Sequence, residues 1–310
     1  MTMDKYLDTY LQFAEEIIGK NKFIESNYSY LFVGIKYVLK IQKYYSSLFG
    51  LYTIQQLKIN ATEEFKRGKE VEPDIYIDCV EIVDEKYGIC NYGIIAKTMK
   101  YDCLLENIYY NLTFDDMNKL YCKCKSYIYS ADLVEDINYF FLLDKGNERL
   151  YSLLKMRNNV ISEKLILYWK EIINKTKQLK EILTNRETQQ KVKAVHGDLS
   201  FKNIYYNDKF YFLDPCAVYE DMYCLDVLYE MGDITSEFIR VNEFDKYNYL
   251  VERVKTEKEF WFQSELFEYY LKRHLLIRAT TSFLAGDLSY REYIEVFIND
   301  RKYNKFFEVL

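Results

Sequence analysis

A short stretch in the second half of the chain holds the side chains best suited to chemistry. The segment His196–Asp198 is followed by Asn203 and, after an apolar run, by Asp214. Amide and carboxylate oxygens suit Mg²⁺, which usually takes only one or two protein side chains when water and phosphate oxygens complete its shell. Asp198 lies five residues before Asn203 and is placed to accept or orient the proton of an attacking hydroxyl. These residues predict magnesium-dependent phosphoryl transfer.

The segment between Asn203 and Asp214 has the pattern of a β-hairpin. Asn207-Asp208 is a two-residue turn signal, and the flanking residues 204–206 and 209–213 are rich in aromatic and branched side chains. A turn centred there brings Asn203 and Asp214 to the same end of the two strands. The alternative is an ordinary turn before a hairpin, with Asp214 merely ending a strand. The fixed spacing of the whole motif favours the metal-binding interpretation.

The pattern His-Gly-Asp, four residues, Asn, then an apolar strand and Asp resembles the catalytic centre of the aminoglycoside phosphotransferase and choline kinase group of small-molecule kinases. The resemblance implies that Asp198 is the catalytic aspartate, that Asn203 and Asp214 bind Mg²⁺, and that ATP is the phosphoryl donor. It also implies a structural role for Asp226. Protein kinases typically carry lysine two positions after the catalytic aspartate, where this chain has Ser200, so a protein kinase is disfavoured.

Two residues of the N-terminal third are candidates for binding the nucleotide. Lys40 lies inside an apolar, strand-like run, the position where kinases keep the lysine that neutralises the α and β phosphates. On this residue alone, a lysine pointing to water is the alternative. Glu63 or Glu64, in a helix predicted over 53–69, could pair with it. Glu64 is favoured because residues 64–82 resemble kinase-like domains found fused to gluconokinase-like ATPases.

The sequence has no glycine-rich loop to cover the nucleotide phosphates. Between the first two predicted strands stands only Ser26-Asn27-Tyr28-Ser29, where protein kinases carry several glycines. The small-molecule kinases that the chain resembles commonly lack these glycines. Hydroxyls and backbone amides of this loop could cover the nucleotide instead, and Ser29 is the candidate.

The surrounding elements predict an α+β, bilobal protein-kinase-like fold. A helical stripe in residues 1–20 precedes a three-stranded meander, and two later strand signals complete a five-stranded antiparallel sheet. The remainder is expected to be mainly helical. We expect an N-lobe over residues 1–99 and a C-lobe over 100–310. Because no Pro/Gly/Ser-rich linker separates them, we expect their boundary to be a crevice that holds the nucleotide. The predicted segments are strands in 23–42, 75–82 and 91–99 and long helices over 162–183 and 260–284.

Composition narrows the class of protein. The chain has 310 residues, 49% of them hydrophobic, which is enough for a large core. Its net charge of -6 gives no global attraction to nucleic acid, and no apolar run reaches the length of a membrane span. The N-terminus is unlike a secretory signal, so a cytoplasmic protein is expected. The seven cysteines and two histidines form neither a zinc pattern nor a disulfide framework.

The predicted activity is transfer of the γ-phosphoryl group of Mg-ATP to a hydroxyl of a small molecule that is aminoglycoside-, choline- or sugar-like. The alternative is a catalytically idle pseudokinase scaffold that binds nucleotide and acts through protein contacts. The acceptor and the oligomeric state stay open. Acids at Glu220 and Asp221 would suit a cationic acceptor. Arg273 and Arg278 either reach the acceptor or, more commonly for such residues, pair with acids among Glu220, Asp221, Glu230 and Asp233.

Overall fold

The computed structural model describes residues 6–26, 28–46, 50–86, 88–157, 159–217 and 220–310. The chain forms two compact units. Unit 1 comprises Met1–Cys103 and the separate segment Phe212–Val218, and unit 2 comprises Leu104–Tyr211 and Tyr219–Leu310. The lobes expected from the sequence, 1–99 and 100–310, stay a prediction; Asp214 lies in the second segment of unit 1.

Unit 1 is built on a five-stranded antiparallel sheet with the strand order β1-β2-β3-β7-β6. The predicted sheet is confirmed, and a two-residue strand pair, β4 and β5, was not expected. The predicted helix over 53–69 is also present, because Thr53 caps its first turn reciprocally with Gln56. The elements of unit 1 are α1 (Leu7–Ile18), β1 (Asn21–Glu25), β2 (Ser29–Gly34), β3 (Tyr37–Gln42), β4 (Tyr45–Ser46), β5 (Gly50–Leu51), α2 (Ile54–Val71), β6 (Tyr76–Asp84) and β7 (Gly88–Lys97).

The alternation of side chains along β3 separates the two faces of this sheet. Leu39 and Ile41 are fully buried and belong to a core that includes residues of α1. Lys40 points to the opposite face, where its side chain meets α2. Gln42, two residues on, accepts a hydrogen bond from Asn60 of α2 at 3.1 Å. The strand therefore places Lys40 against a helix instead of in the apolar core.

Unit 2 is mainly helical, as predicted, which agrees with the expected α+β architecture. The helix expected over 162–183 is wrong in one respect: Leu179 ends α6 and precedes α7. Leu179 and Leu183 are both buried, so the apolar pattern runs through the break and conceals it. The helices of unit 2 are α3 (Leu105–Ile108), α4 (Phe114–Ser130), α5 (Tyr139–Lys155), α6 (Val160–Gln178), α7 (Lys180–Thr188), α8 (Glu220–Tyr223), α9 (Val227–Arg240), α10 (Phe244–Thr256), α11 (Ser264–Ala285), α12 (Tyr290–Ile298) and α13 (Asp300–Glu308).

Four short strands accompany these helices. Strand β8 (Val192–Ala194) pairs antiparallel with β11 (Cys224–Asp226), and β9 (Ile204–Asn207) pairs with β10 (Lys209–Phe212). The second pair is the predicted hairpin, with its turn at Asp208, whose φ of 62° lies in the left-handed region that aspartate tolerates. In the part of the chain that the structure describes, no helix is both long and apolar enough to span a bilayer.

Candidate active site

In unit 1, three charged side chains predicted from separate parts of the sequence meet. Lys40 Nζ lies 2.9 Å from Glu64 Oε1 and 2.9 Å from Asp214 Oδ1. Of the two acids that the sequence offered as partners of the lysine, Glu64 makes this contact. Lys40 is thus held between one carboxylate on α2 and another on the segment that follows the hairpin.

Burial and charge act against each other in this cluster. Burial lowers the pKa of Lys40, but the adjacent carboxylates of Asp214 and Glu64 outweigh it, and the pKa stands above its usual value. Burial raises the pKa of Glu64, and Lys40 opposes that shift without cancelling it. Lys40 therefore carries its positive charge at neutral pH, as a lysine that binds phosphate oxygens must.

The backbone of Asp214 is fixed by neighbours in unit 1. Its φ of 58° is left-handed, and its N–H donates to the hydroxyl oxygen of Tyr76 at 2.8 Å. Two residues earlier, the Phe212 N–H donates to Glu72 Oε1 at 2.9 Å. Tyr76 in turn packs on Gly68 of α2, where a Cβ would lie 2.6 Å from the ring. These contacts tie the segment that carries Asp214 to β6 and to the end of α2.

Ser29 is the first residue of β2, and it is buried. Its N–H donates to Ser26 Oγ at 2.9 Å, and its carbonyl accepts from the Ser26 hydroxyl at 2.9 Å. Both backbone groups of Ser29 therefore close the turn before β2, which leaves the hydroxyl as the group to bind a nucleotide. Asn27, in the same predicted loop, lies outside the described residues.

In unit 2, the predicted catalytic loop places Asp198 against Asn203. The Asn203 amide donates from Nδ2 to Asp198 Oδ2 at 2.9 Å and to the Asp198 carbonyl at 3.0 Å. Gly197, with a φ of 78°, supplies a left-handed backbone position that residues with side chains rarely adopt. With its nitrogen committed to Asp198, Asn203 has its amide oxygen as the group to offer a metal.

Two buried carboxylates of α9 hold the backbone of this loop. Glu230 Oε1 accepts the His196 N–H at 3.0 Å, and Glu230 Oε2 accepts the Gly197 N–H at 3.2 Å. Asp233 Oδ2 accepts the Leu199 N–H at 2.7 Å. Such charge-assisted hydrogen bonds are stronger than neutral ones, so helix α9 fixes the backbone of the loop that carries Asp198.

Arg278 of α11 contacts Asp198 directly. Its Nη1 lies 2.7 Å from Asp198 Oδ1, and its Nη2 bonds to Asp233 Oδ1. Burial raises the pKa of Asp198, and Arg278 opposes that shift. The expected pairing of Arg278 with an acid of this region is confirmed, but its contact with Asp198 was missed by the sequence.

The sequence held a signal for this support. Acids recur at Asp226, Glu230, Asp233 and Glu237, at intervals of four, three and four residues, which is one face of a helix. Every residue of α9 is buried, so these acids need partners inside the protein. Asp226 caps α9 and is bound through both carboxylate oxygens by buried Arg186, which agrees with the structural role implied for it.

Two other expectations change. Asp221 does not form part of an acidic rim open to a cationic acceptor, because Arg149 binds both its carboxylate oxygens at 3.1 and 2.8 Å. Its side chain is only 10% exposed, while Glu220 remains exposed. Arg273 is buried, and its hydrogen bonds run to Asn147 Oδ1 and the Tyr229 hydroxyl instead of to the predicted acids.

The residues proposed to bind Mg²⁺ have suitable chemistry. The Asp214 side chain is 47% exposed and offers carboxylate oxygens, and Asn203 offers an amide oxygen of fixed orientation. Among the described residues there is no group of three or more His, Cys, Asp or Glu side chains that could hold a metal ion.

Comparison with known proteins identifies the fold. No protein-family model matches the chain, and no curated protein sequence matches it. Solved structures do match. A choline/ethanolamine kinase family protein from Mesorhizobium loti is 13% identical, with a TM-score of 0.51, over 97% of this chain and 94% of that one. Choline kinase LicA from Streptococcus pneumoniae is 15% identical, with a TM-score of 0.52, over 96% of this chain and 97% of that one.

An aminoglycoside phosphotransferase also matches. The GDP complex of aminoglycoside 2'-phosphotransferase-IIIa is 12% identical, with a TM-score of 0.54, over 97% of this chain and 100% of that one. The resemblance inferred from the motif around Asp198 is thus confirmed at the level of the fold across nearly the whole chain. A fold hosts many activities, so the function follows from the residues of the site.

Proposed function

We propose that this chain, which has the fold shared by choline kinases and aminoglycoside phosphotransferases, is an ATP-dependent small-molecule kinase. It would move the γ-phosphoryl group of ATP to a hydroxyl of an aminoglycoside-, choline- or sugar-like acceptor. The observation that carries the proposal is the position of Lys40 Nζ, 2.9 Å from both Glu64 and Asp214. The sequence predicts Lys40 for phosphate binding, Asp214 for metal binding and Glu64 as the partner of the lysine.

In unit 1, Lys40 would bind the α and β phosphates, and Glu64 would keep its side chain directed. Asp214 would offer its carboxylate oxygens to Mg²⁺, and Ser29 would contact the nucleotide through its hydroxyl. In unit 2, Asn203 would offer its amide oxygen to the metal ion. The metal supplies charge neutralisation at the phosphate oxygens when it is bound. Positioning and electrostatics supply most of the rate in phosphoryl transfer, and both tasks need fixed charges of this kind.

In unit 2, Asp198 would orient the acceptor hydroxyl. As the bond from the acceptor oxygen to the γ-phosphorus forms and the bond to the ADP oxygen breaks, the hydroxyl proton passes to the Asp198 carboxylate. The contact with Asn203 supports this role, because it fixes one carboxylate oxygen of Asp198 in direction.

One observation favours a second candidate, the catalytically idle nucleotide-binding scaffold. The N–H groups of Tyr28 and Ser29 both donate to Ser26 Oγ, at 3.4 and 2.9 Å, in the loop where kinases use backbone amides to cover the phosphates. A loop committed to its own hydrogen bonds covers phosphates less well. The two candidates share nucleotide binding and differ in turnover.

The proposal is tested first by thermal unfolding with and without Mg-ATP. A ligand that binds only the folded protein stabilises it by about 2.7 kcal/mol at a concentration one hundred times its Kd. We expect a rise in Tm for the wild-type chain and its loss in Asp214→Asn. Asp208→Asn is the matched control, because it makes the same charge change at an exposed residue with a similar left-handed φ of 62°. The control should keep the wild-type shift.

Transfer is then tested with γ-labelled ATP and three probe acceptors: choline, kanamycin and glucose. Label on any acceptor, absent in Asp198→Asn, would establish the kinase. A Tm shift without label on these acceptors or on water would favour the scaffold. No shift in the wild-type chain at saturating Mg-ATP would contradict both candidates.

A further inference from the structure

We propose that Arg278 is a positioning residue that holds the Asp198 carboxylate in one orientation from a base of buried charges, an inference that rests on the proposed phosphotransferase function. Arg278 Nη1 binds Asp198 Oδ1 at 2.7 Å, while Asn203 Nδ2 binds Asp198 Oδ2 at 2.9 Å. Each carboxylate oxygen of Asp198 is thus tied to a different element. A carboxylate held at both oxygens cannot rotate without breaking a charge-assisted hydrogen bond.

The base consists of two acids one helical turn apart on α9. Arg278 Nη2 bonds to Asp233 Oδ1, and Arg278 Nε lies 3.3 Å from Glu237 Oε1. The side chains of both acids are 1% exposed, and that of Arg278 is 14% exposed. A guanidinium placed between two buried carboxylates has a fixed direction, because any swing would leave a buried charge without its partner.

Asp233 is itself anchored, so it does not follow Arg278 if the arginine moves. Its Oδ2 accepts the Leu199 N–H at 2.7 Å, and its Oδ1 lies 3.1 Å from His274 Nδ1. His274 and Arg278 are one turn apart on α11, as Asp233 and Glu237 are on α9. Asp233 therefore binds both the backbone of the catalytic loop, at Leu199, and Arg278, which in turn binds the carboxylate of Asp198.

This arrangement favours a fixed support over a mobile contact that blocks the site. A blocking arginine would need a second resting place, whereas Arg278 has two contacts to buried acids besides its contact to Asp198. Removing it would leave Asp198 attached through Asn203 alone. A misplacement of about 1 Å in a reacting group costs on the order of 10²-fold in rate, which sets the expected size of the effect.

The experiment compares Arg278→Gln, Arg278→Lys and Arg240→Gln by ADP release from Mg-ATP with water as the acceptor. Arg240 is the matched control, because it is a buried arginine that also binds Glu237, at 2.9 Å, but its other ion pair runs to Glu292 and not to Asp198. Rates are divided by the fraction of protein that binds nucleotide in calorimetry. We expect kcat of Arg278→Gln to fall about 10²-fold with KM for ATP within about threefold of wild type, and Arg278→Lys to recover about tenfold. Arg240→Gln should stay within about threefold in both.

Three results would overturn the proposal. One is a kcat of Arg278→Gln within about threefold of wild type. Another is a loss in Arg278→Gln that Arg240→Gln reproduces and Arg278→Lys does not relieve, since this would mark a structural role only. The third is a crystal structure of Arg278→Gln with the Asp198 carboxylate in its original orientation against Asn203.

The crystal structure also separates this proposal from the proposed function. If the wild-type chain binds Mg-ATP but transfers no phosphoryl group to choline, kanamycin, glucose or water, the kinase assignment fails, while a turned Asp198 carboxylate in Arg278→Gln would still show that Arg278 sets its orientation. If Arg278→Gln does not fold, Arg278→Lys supplies both the kinetic and the crystallographic comparison, since it keeps the positive charge between Asp233 and Glu237.

Discussion

The Lys40 cluster of unit 1 and the Asp198 cluster of unit 2 both join acids to a cation, but they differ in burial. In the first, the side chains of Lys40, Glu64 and Asp214 are 22%, 21% and 47% exposed. In the second, Asp198 is 37% exposed, but the acids beneath it, Asp233 and Glu237, are 1% exposed. All three side chains of the first cluster are partly exposed, whereas the second cluster exposes mainly Asp198, the residue proposed to react.

The difference in burial agrees with the different roles proposed for the two clusters. Partly exposed ion pairs contribute little to stability and can exchange partners, which a lysine that binds phosphates requires. Buried ion pairs resist rearrangement, because a charge without its partner in a low-dielectric interior costs several kcal/mol. We infer that the residues proposed for nucleotide binding are adaptable, whereas the aspartate proposed for proton transfer is held in a preformed orientation.

The largest effect is expected from a substitution of Asp198, the residue proposed to react. Asp198→Asn should lower kcat for phosphoryl transfer by about 10³-fold, because the amide cannot accept the hydroxyl proton. The Tm shift with Mg-ATP should remain, since Asp198 has no proposed part in nucleotide binding. Asp208→Asn serves as the control for the charge change. Loss of the nucleotide shift together with activity would show that Asp198 does not act separately from the Lys40 cluster.

The second prediction concerns stability. Asp233→Asn should lower the free energy of unfolding by about 3 to 5 kcal/mol, because it removes a buried partner of Arg278. Glu64→Gln should cost only about 0 to 1 kcal/mol, because its pair with Lys40 is partly exposed. Urea unfolding of the two variants beside the wild-type chain measures both values. Equal losses would contradict the contrast between the clusters.

The same variant has a defined pH dependence. Burial raises the pKa of Asp233, but Arg278 and His274 outweigh it, and the pKa in the folded protein lies well below its ordinary value of 3.8. A depressed pKa contributes stability that is present above pH 3.8 and is lost as the pH falls below it toward the folded value. The difference between the wild-type chain and Asp233→Asn should therefore be constant near neutral pH and should shrink at pH 3. A difference that grows in acid would contradict the assignment.

A further prediction concerns the packing that holds Asp214 in unit 1. In Gly68→Ala the new Cβ would lie 2.6 Å from the Tyr76 ring, so the ring must shift, together with the hydroxyl that accepts the Asp214 N–H. We expect a loss of about 1 to 3 kcal/mol in the free energy of unfolding and a smaller Tm shift with Mg-ATP.

Gly232→Ala in α9 is the control for Gly68→Ala. Its new Cβ would have its nearest neighbour, Tyr270 Cβ, at 3.4 Å, an ordinary contact. It should change the free energy of unfolding by less than about 1 kcal/mol, in line with helix propensity. If both glycine variants behaved alike, packing of Tyr76 on Gly68 would not position Asp214.

Much of the candidate site was predictable because its signals are local. The motif from His196 to Asp214 gave the loop and the hairpin, and the lone cation of β3 identified Lys40. Glu64 was favoured over Glu63 by resemblance, and it contacts Lys40. The main strands of unit 1 were predicted from runs of aromatic and branched residues between turn signals. In β3, the alternate residues Leu39 and Ile41 are buried in the core, while Lys40 meets α2.

The errors arose where distant residues decide the outcome. The break at Leu179 has no proline or glycine, and its buried leucines continue the helical pattern. The sequence leaves Asp221 available to a cationic acceptor, but Arg149, 72 residues earlier in the chain, binds it. The contact of Arg278 with Asp198 joins residues 80 positions apart, and no local pattern indicates which of several acids an arginine will reach.

The sequence by itself determined which residues could do the chemistry, since residue type and short-range spacing set a loop, a hairpin and the cation of a strand. Only the tertiary structure decided how those residues are supported. It assigned Asp214 to unit 1 through Glu72 and Tyr76, and it set Arg278 between Asp233 and Asp198. The physical reason is that buried charges must find partners wherever the packing of helices brings them, and that packing depends on the whole chain.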